Sequence, residues 1–208
     1  MKLLEFAPAP NPRRVRFFAA EKGIEIPGQH VDLANLEHFG DAFRSINPFS
    51  TVPTLVLDDG TAIAETMAIC RYLEALQPEP ALFGTTPVEQ GLIEMWARRV
   101  ELGVFSQIAQ SFRHQHPGMA KREVPQVAQW GAANTQKAKA SLETLNAHLA
   151  MSDYVAGSAF SVADITLWIA CDFAARAKIE IPESLTALSA WRLKIDARPA
   201  VAAMNAGH

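Results

Sequence analysis

The sequence has little cysteine, no long apolar run and no excess of one charge, and each lack excludes a class of protein. Its 208 residues include two cysteines, too few for the disulfide framework of a small secreted domain. No apolar run reaches the about 18 residues that a membrane-spanning helix needs, and Glu5 interrupts any secretory signal core. The 19 basic and 22 acidic residues argue against the broad basic surface that nucleic acids bind. We therefore expect a cytoplasmic protein with neither membrane nor nucleic-acid partners.

The first 78 residues alternate between strand and helix patterns. Short apolar runs flanked by turn residues predict strands, and apolar residues spaced three or four apart predict amphipathic helices. Asn11-Pro12 predicts the start of the first helix, with Asn11 as the N-cap and Pro12 at the first helical position, and Gly23 predicts its end. Asp59-Gly60 predicts a hairpin turn. The strands are predicted over residues 3–6, 29–33, 53–57 and 61–64.

Strand patterns disappear after the stiff segment Gln77-Pro78-Glu79-Pro80. The rest of the chain predicts helices over residues 87–115, 125–149, 161–178 and 182–197. Ser161 and Asp164 form a capping box at the start of the third of these helices, and we interpret it as structural. The sequence therefore predicts an α/β domain over residues 1–78 and an all-helical domain over residues 86–208.

Four local patterns, taken together and in order, resemble the cytosolic glutathione transferases. They are Ala-Pro-Asn-Pro-Arg-Arg-Val-Arg at 9–16; Asn-Pro at 47–48 with Val-Pro-Thr-Leu at 52–55; Glu-Thr-Met-Ala-Ile at 65–69 with Tyr-Leu at 72–73; and Tyr-Val-Ala-Gly at 154–157, followed by Phe-Ser-Val-Ala-Asp at 160–164 and Arg-Pro at 198–199. The resemblance covers essentially the whole chain and has bacterial theta-like and nu-like features. It implies a thioredoxin-like α/β domain followed by an all-α domain, in a homodimer. It also implies an enzyme that conjugates its co-substrate glutathione to a hydrophobic electrophile, without a metal.

The resemblance assigns glutathione contacts to Val52-Pro53 and Glu65-Thr66. In the family the Val-Pro bond is cis, and the backbone at Val52 pairs with the tripeptide as an added strand would. The acid at Glu65 meets the γ-glutamyl amine, and the hydroxyl at Thr66 meets the γ-glutamyl carboxylate beside the free N–H groups of a helix start. The residues alone also allow an edge-strand proline and an ordinary helix cap with an acid in the first turn.

Three further residues are candidates for substrate contact. His38 resembles a histidine of theta-like transferases that contacts the glycine end of glutathione, although a lone loop histidine is more often simply solvated. Phe105 and Phe112 recur at helical spacing with Ile108, and a phenylalanine there could contact the hydrophobic co-substrate. A stripe that faces the core is the commoner meaning of such spacing.

The usual catalytic hydroxyl or thiol of the family is missing. Its aligned position is Ala9, and no Ser, Thr, Cys or Tyr occurs between Met1 and Arg44, which excludes a tyrosine-type transferase. In a nu-like subgroup the first helix begins Ala-Pro-Thr-Pro-Asn and the asparagine assists; this chain lacks the threonine and keeps that asparagine as Asn11. Its amide could donate a hydrogen bond to the glutathione thiolate, while backbone N–H groups and the helix dipole add positive potential. The alternative is that Asn11 merely caps the helix.

Two other functions remain open from the residues alone. The nu-like helix start also fits a glutathione-dependent disulfide reductase or peroxidase, and Ala9 fits a non-catalytic binding protein that keeps the fold. Cys70 has no nearby partner for a redox motif, so both it and Cys171 are expected to pack in the interior. The spacing of His114 and His116 points their rings to different helix faces, so no metal site is predicted.

Overall fold

The computed structural model describes residues 1–206, which form two compact units. The first contains Met1–Ala81 together with the C-terminal helix Pro199–Ala206, and the second contains Leu82–Arg198. The C-terminal helix packs on the first helix of the chain, whereas the sequence pattern groups it with the other helices of residues 86–208.

The first unit is built on a four-stranded mixed sheet. Its strands are β1 (Lys2–Glu5), β2 (Gly28–His30), β3 (Thr54–Val56) and β4 (Ala62–Ala64), in the order β2-β1-β3-β4. β1 pairs in parallel with β2, and the other two pairings are antiparallel. The predicted hairpin joins β3 to β4, and Gly60 adopts a φ of 88° there, a conformation that glycine tolerates without steric cost.

The helices of the first unit are α1 (Pro10–Glu21), α2 (Asp41–Arg44) and α3 (Thr66–Leu76), with the C-terminal helix, α9, packed on α1. The prediction that Asn11 is the N-cap of α1 is wrong. The N-cap is Ala9, in an extended conformation and without a side-chain cap, and the helix begins at Pro10. The reason is that a first helical turn accepts proline at more than one position, since its N–H groups have no partner within the helix.

A buried lysine fixes the end of α1 to the segment that follows α3. The Lys22 ammonium is fully buried and forms an ion pair with Glu74. It also donates to the carbonyl oxygen of Pro78 at 3.0 Å and to that of Pro80. Because a buried ammonium is costly unless it is paired, these contacts hold the proline-rich segment in one place.

The second unit is helical. Its helices are α4 (Pro87–Val100), α5 (Ser106–Gln115), α6 (Ala128–Leu149), α7 (Val162–Arg176) and α8 (Thr186–Asp196). The predicted helix over 87–115 is one continuous helical run, but its centre, Glu101–Phe105, is a π-helical turn that the sequence pattern did not indicate. Within residues 1–206, no helix is both long and apolar enough to cross a membrane.

The predicted capping box of the second unit is confirmed, and it lies in the core. Asp164 is fully buried, and its carboxylate accepts hydrogen bonds from the backbone N–H groups of Ser161 and Val155 at 3.0 and 2.9 Å. The Ser161 hydroxyl and the Trp191 indole N–H also donate to it, at 3.2 and 2.9 Å. Burial raises the pKa of this carboxyl, and the four donors oppose that rise. Asp164 therefore joins the start of α7 to α8 and to the preceding loop.

Candidate active site

The pairing of β3 and β4 brings two of the predicted contact segments to one end of the sheet. These strands run antiparallel, with Thr54 opposite Ala64. Val52-Pro53 comes just before β3 and Glu65-Thr66 just after β4, so the two segments lie side by side where the hairpin ends.

The first strand ends at this same end of the sheet. β1 is antiparallel to β3, with Leu4 opposite Thr54, so the chain leaves β1 beside Pro53 and enters α1 at Pro10. Phe6 and Val52 both pack against one buried apolar cluster, made of Leu4, Val31, Leu33 and Phe43. The amino ends of α1 and α3 and the Val52-Pro53 segment therefore occupy one region of the first unit.

The segment before β3 is held by a buried asparagine whose role the sequence pattern did not predict. The Val52-Pro53 bond is cis. Asn47 is 3% exposed, and its amide donates to the Thr51 carbonyl oxygen and the Thr54 hydroxyl, both at 3.0 Å. These bonds tie the residues on either side of Val52-Pro53 to one side chain. Asn47-Pro48 was part of the family pattern, but a polar residue in a loop gave no sign that it would be buried.

Glu65 combines an unusual backbone with an unpartnered side chain. It is the N-cap residue of α3 with a φ of 68°, yet its side chain makes no capping hydrogen bond. The carboxylate is exposed, and within residues 1–206 no hydrogen bond or ion pair engages it. A side chain other than glycine at positive φ costs of order 1–3 kcal/mol and is often retained for function. The ordinary helix cap that the sequence allowed does not describe Glu65.

Thr66 is the first residue of α3 and is buried. Its backbone N–H belongs to the first helical turn, whose N–H groups have no partner inside the helix. These groups and the helix dipole attract negative charge. An anion beside Thr66 would therefore meet backbone N–H groups and a hydroxyl together, with the Glu65 carboxylate next to them.

Because of two prolines, the amino end of α1 has few backbone N–H donors. Pro10 and Pro12 have no N–H group, and the N–H of Arg13 bonds the Ala9 carbonyl oxygen at 3.3 Å. The N–H of Asn11 is therefore the one backbone donor of this turn left to act outside the helix. Several backbone N–H groups were expected to add positive potential beside the thiolate, but in this turn Asn11 alone has one available.

The Asn11 side chain is half-buried in the first turn of α1. Its Oδ1 atom accepts a hydrogen bond from the Nη1 atom of Arg14 at 3.4 Å, a contact that the sequence pattern did not predict. Within the described residues, its NH2 group makes no hydrogen bond. Asn11 therefore offers two donors, its backbone N–H and its side-chain NH2, at a helix end that attracts anions.

His38 lies in the segment that follows β2, in a short 3₁₀ turn over Glu37–Phe39. The side chain is 5% exposed, and its ring centre lies 4.0 Å from that of Phe39. His38 is therefore not the solvated loop histidine that its sequence context suggested.

The two candidate phenylalanines belong to one aromatic cluster in the second unit. Phe105 is 6% exposed, and its ring centre lies 6.2 Å from that of Phe173. Phe112 is half-buried, 5.2 Å from Phe173 and stacked at 4.5 Å on His116. Phe105 is thus chiefly a core residue, whereas Phe112 keeps part of its ring accessible.

The cysteines offer no nucleophile. Both are buried and unpaired, and burial raises the pKa of the Cys70 and Cys171 thiols to about 12. At neutral pH they are therefore protonated. Within residues 1–206, no three His, Cys, Asp or Glu side chains are grouped so as to hold a metal ion. A cavity of about 730 Å³ in the first unit, beside Glu5, Arg16 and His30, includes none of the predicted site residues.

Comparison with known proteins identifies the family. The N-terminal domain of glutathione S-transferases matches residues 9–76, and the C-terminal domain matches residues 105–199. The chain is 39% identical over 195 residues to glutathione S-transferase 2 of Saccharomyces cerevisiae, covering 92% of this chain and 84% of that protein.

Solved structures agree with the sequence matches. A glutathione S-transferase domain-containing protein from Marinobacter aquaeolei VT8 superposes with a TM-score of 0.94 at 39% identity, over 97% of this chain and 100% of that chain. Gtt2 from Saccharomyces cerevisiae gives a TM-score of 0.94 at 37% identity, over 98% and 100%. These matches confirm the predicted fold class, a thioredoxin-like α/β domain with an all-α domain. The chain belongs to the glutathione S-transferase family and is a glutathione transferase, which conjugates the thiol of glutathione to a hydrophobic electrophile.

Proposed function

We propose that glutathione lies across the end of the sheet where Val52-Pro53, Glu65-Thr66 and the start of α1 meet. The tripeptide is extended, its central residue pairs with the backbone at Val52, and its sulfur lies at Asn11. The antiparallel register supports this arrangement, since it places the two loop segments side by side and brings the end of β1 next to them. An extended peptide that adds to a sheet gains main-chain hydrogen bonds without a deep pocket.

The observation that carries the proposal is the state of Glu65. Its carboxylate is exposed and unpartnered within residues 1–206, on a backbone of positive φ. The γ-glutamyl group of glutathione carries one ammonium and one carboxylate, the charges that Glu65 and Thr66 are suited to receive. Contacts between glutathione and Glu65 would give a function to the positive-φ backbone at this residue, a conformation that costs free energy in the unliganded protein.

We infer that Asn11 stabilises the thiolate. An exposed thiol has a pKa of about 8.5, so a donor that favours the thiolate raises the reactive fraction at neutral pH. The proton goes to solvent, and the thiolate attacks the electrophile. With an aromatic halide, a C–S bond forms and the halide leaves as an anion. The protein contributes hydrogen bonds to sulfur and the proximity of the two reactants.

The remaining candidates have unequal support. Phe112 is the better hydrophobic contact for the electrophile because its ring is partly accessible, while Phe105 supports it from the core. His38 would contact the glycine end of glutathione only through the small part of its side chain that remains exposed.

Cytoplasmic location is supported by two buried, unpaired cysteines, which suit a reducing compartment.

We also propose a homodimer. Phe49 is 83% exposed and lies in the loop that leads to Val52. A large exposed aromatic residue is typical of the centre of a protein interface, and two-fold pairing is the commonest form of self-association.

The first prediction concerns Glu65. Glu65→Ala should weaken glutathione binding by about 1.5–3 kcal/mol, since a charged hydrogen-bond partner is lost. Titration calorimetry measures this, and Glu25→Ala, which removes another exposed acid of the first unit, is the matched control. An aromatic halide, a small disulfide and a peroxide assayed side by side test the reaction. Equal affinity in the Glu65 and Glu25 variants would contradict the proposed pose, and no binding at millimolar glutathione would contradict the site as a whole.

A further inference from the structure

Arg14 is buried to a degree that is rare for an arginine. It lies on α1, one turn after Asn11, and its side chain is among the largest fully buried ones, at 2% exposure. Arginine is almost never buried this completely unless its charge and its donors are matched by partners. Its neighbour Arg13 is half-buried on the same helix. The Arg14 side chain therefore lies in the protein interior, in contact with Asn11 of the first turn of α1.

The contact between Arg14 and Asn11 fixes one end of the Asn11 amide. A guanidinium has donors and no acceptor, so it can bond the amide oxygen and not the amide NH2. The Nη1 to Oδ1 distance is 3.4 Å, and both residues lie on one helix at a spacing of three, where side chains are neighbours. The oxygen and the NH2 occupy opposite branches of a planar group. With the oxygen on Arg14, the NH2 faces away from it.

We propose that Arg14 is a positioning residue for the transferase reaction: it orients the Asn11 amide so that the NH2, and not the oxygen, faces the glutathione sulfur. This inference rests on the proposed place of the sulfur at Asn11. The orientation decides the sign of the effect. An NH2 group stabilises a thiolate by donating to it, whereas an amide oxygen in the same place repels the negative charge and favours the neutral thiol.

The charge of Arg14 also reaches α3. The largest influence on the Cys70 thiol is burial, which raises its pKa, and the positive charge of Arg14 opposes that rise. Arg14 therefore lies between α1 and α3, the helices whose amino ends flank the proposed sulfur and γ-glutamyl positions.

The test is a double-variant cycle read by the ultraviolet absorbance of bound glutathione thiolate against pH. Arg14→Met and Asn11→Ala should each move the titration upward by about one to two pH units, because a hydrogen bond to a charged group is worth about 1.5–3 kcal/mol. If Arg14 acts through Asn11, Arg14→Met should add less than about 0.3 unit in the Asn11→Ala background. Arg13→Met, which removes a neighbouring charge, is the control and should leave the titration nearly unchanged.

Several results would overturn the inference. One is an Arg14→Met shift of the same size with and without Asn11, which would mean a direct effect of charge. Another is no shift from Arg14→Met while Asn11→Ala produces one. If the unmutated protein binds no glutathione, the proposed function fails instead, so the two failures are distinguishable.

A second variant keeps the inference testable if Arg14→Met does not fold. Asn11→Asp leaves Arg14 in place and gives it a carboxylate to bond, but puts an oxygen where the NH2 would face the sulfur. It should raise the titration by about one pH unit more than Asn11→Ala does. Equal titrations of Asn11→Asp and Asn11→Ala would show that the side chain at position 11 does not face the sulfur, and would overturn the inference.

Discussion

At the scale of single residues, two prolines determine what the amino end of α1 can offer to a ligand. A helix start normally presents several unpaired N–H groups, but Pro10 and Pro12 remove two of them. The remaining donors are concentrated on Asn11. In a chain without Ser, Thr, Cys or Tyr in its first 44 residues, the proposed thiolate contact therefore falls on a residue that offers both a backbone and a side-chain donor.

Introducing a hydroxyl at position 9 tests whether the glutathione sulfur lies at the start of α1. Ala9 is the N-cap of α1, with extended backbone. A serine there can accept the Asn11 N–H through its oxygen and donate its own proton to sulfur. Ala9→Ser should lower the titration midpoint of bound glutathione, raise the rate of conjugation, and stabilise the fold by about 0.5–1 kcal/mol.

The control for the added hydroxyl is Ala20→Ser, which lies near the other end of α1. It should change neither the thiol titration nor the rate. If Ala9→Ser stabilises the fold and leaves the titration of bound glutathione unchanged, the hydroxyl caps the helix without reaching the sulfur. That result would place the sulfur elsewhere than at the start of α1.

At the scale of elements, the sequence predicted every strand and the main helices, because their patterns are local. The N-cap of α1 is Ala9, two residues before the predicted Asn11. The prediction was misplaced because asparagine is a good N-cap and two prolines fit equally well in a first turn. The π-helical turn at Glu101–Phe105 could not be predicted, because its apolar spacing is also that of an ordinary helix.

The parts of the candidate site that depend on residue types in the family pattern could be predicted from the sequence. The parts that depend on packing could be predicted less well. The resemblance picked out the Val52-Pro53 and Glu65-Thr66 segments, and the strand register places those segments together. The sequence pattern did not indicate that Asn47 and Arg14 are buried. Their hydrogen-bond partners Thr51, Thr54 and Asn11 are close in the chain, but burial itself depends on how neighbouring elements pack around the side chain.

Two capping boxes of the second unit allow a matched test of burial. Asp164 accepts four hydrogen bonds inside the core, whereas Glu89 of the box at Thr86 is exposed. Asp164→Ala should lower the free energy of unfolding by about 3 kcal/mol or more, because buried donors lose their acceptor. Glu89→Ala should cost only about 0.5–1 kcal/mol. Urea unfolding measures both, and similar losses would mean that the capping box alone, without its buried partners, accounts for the stability.

At the scale of the whole molecule, residues far apart in sequence come close together because a short sheet gathers them. Asn11, Val52 and Glu65 follow or precede different strands, and pairing brings those strand ends to one side of the first unit. The loop that carries Val52 also carries Phe49 on its outside. A partner that covers Phe49 would thus hold the loop against which glutathione is proposed to bind.

Self-association through Phe49 is the last prediction. Burying a phenylalanine side chain is worth about 2 kcal/mol, and in a two-fold interface each substitution acts twice. Phe49→Ser should therefore weaken the dimer by about 4 kcal/mol, or about a thousandfold. Sedimentation at micromolar concentration should give about twice the 22.7 kDa chain mass for the unmutated protein and a smaller mass for the variant. Met151→Ser, at a residue 92% exposed in the second unit, is the control and should remain dimeric. A Phe49→Ser protein that sediments as the unmutated dimer does would show that Phe49 lies outside the interface.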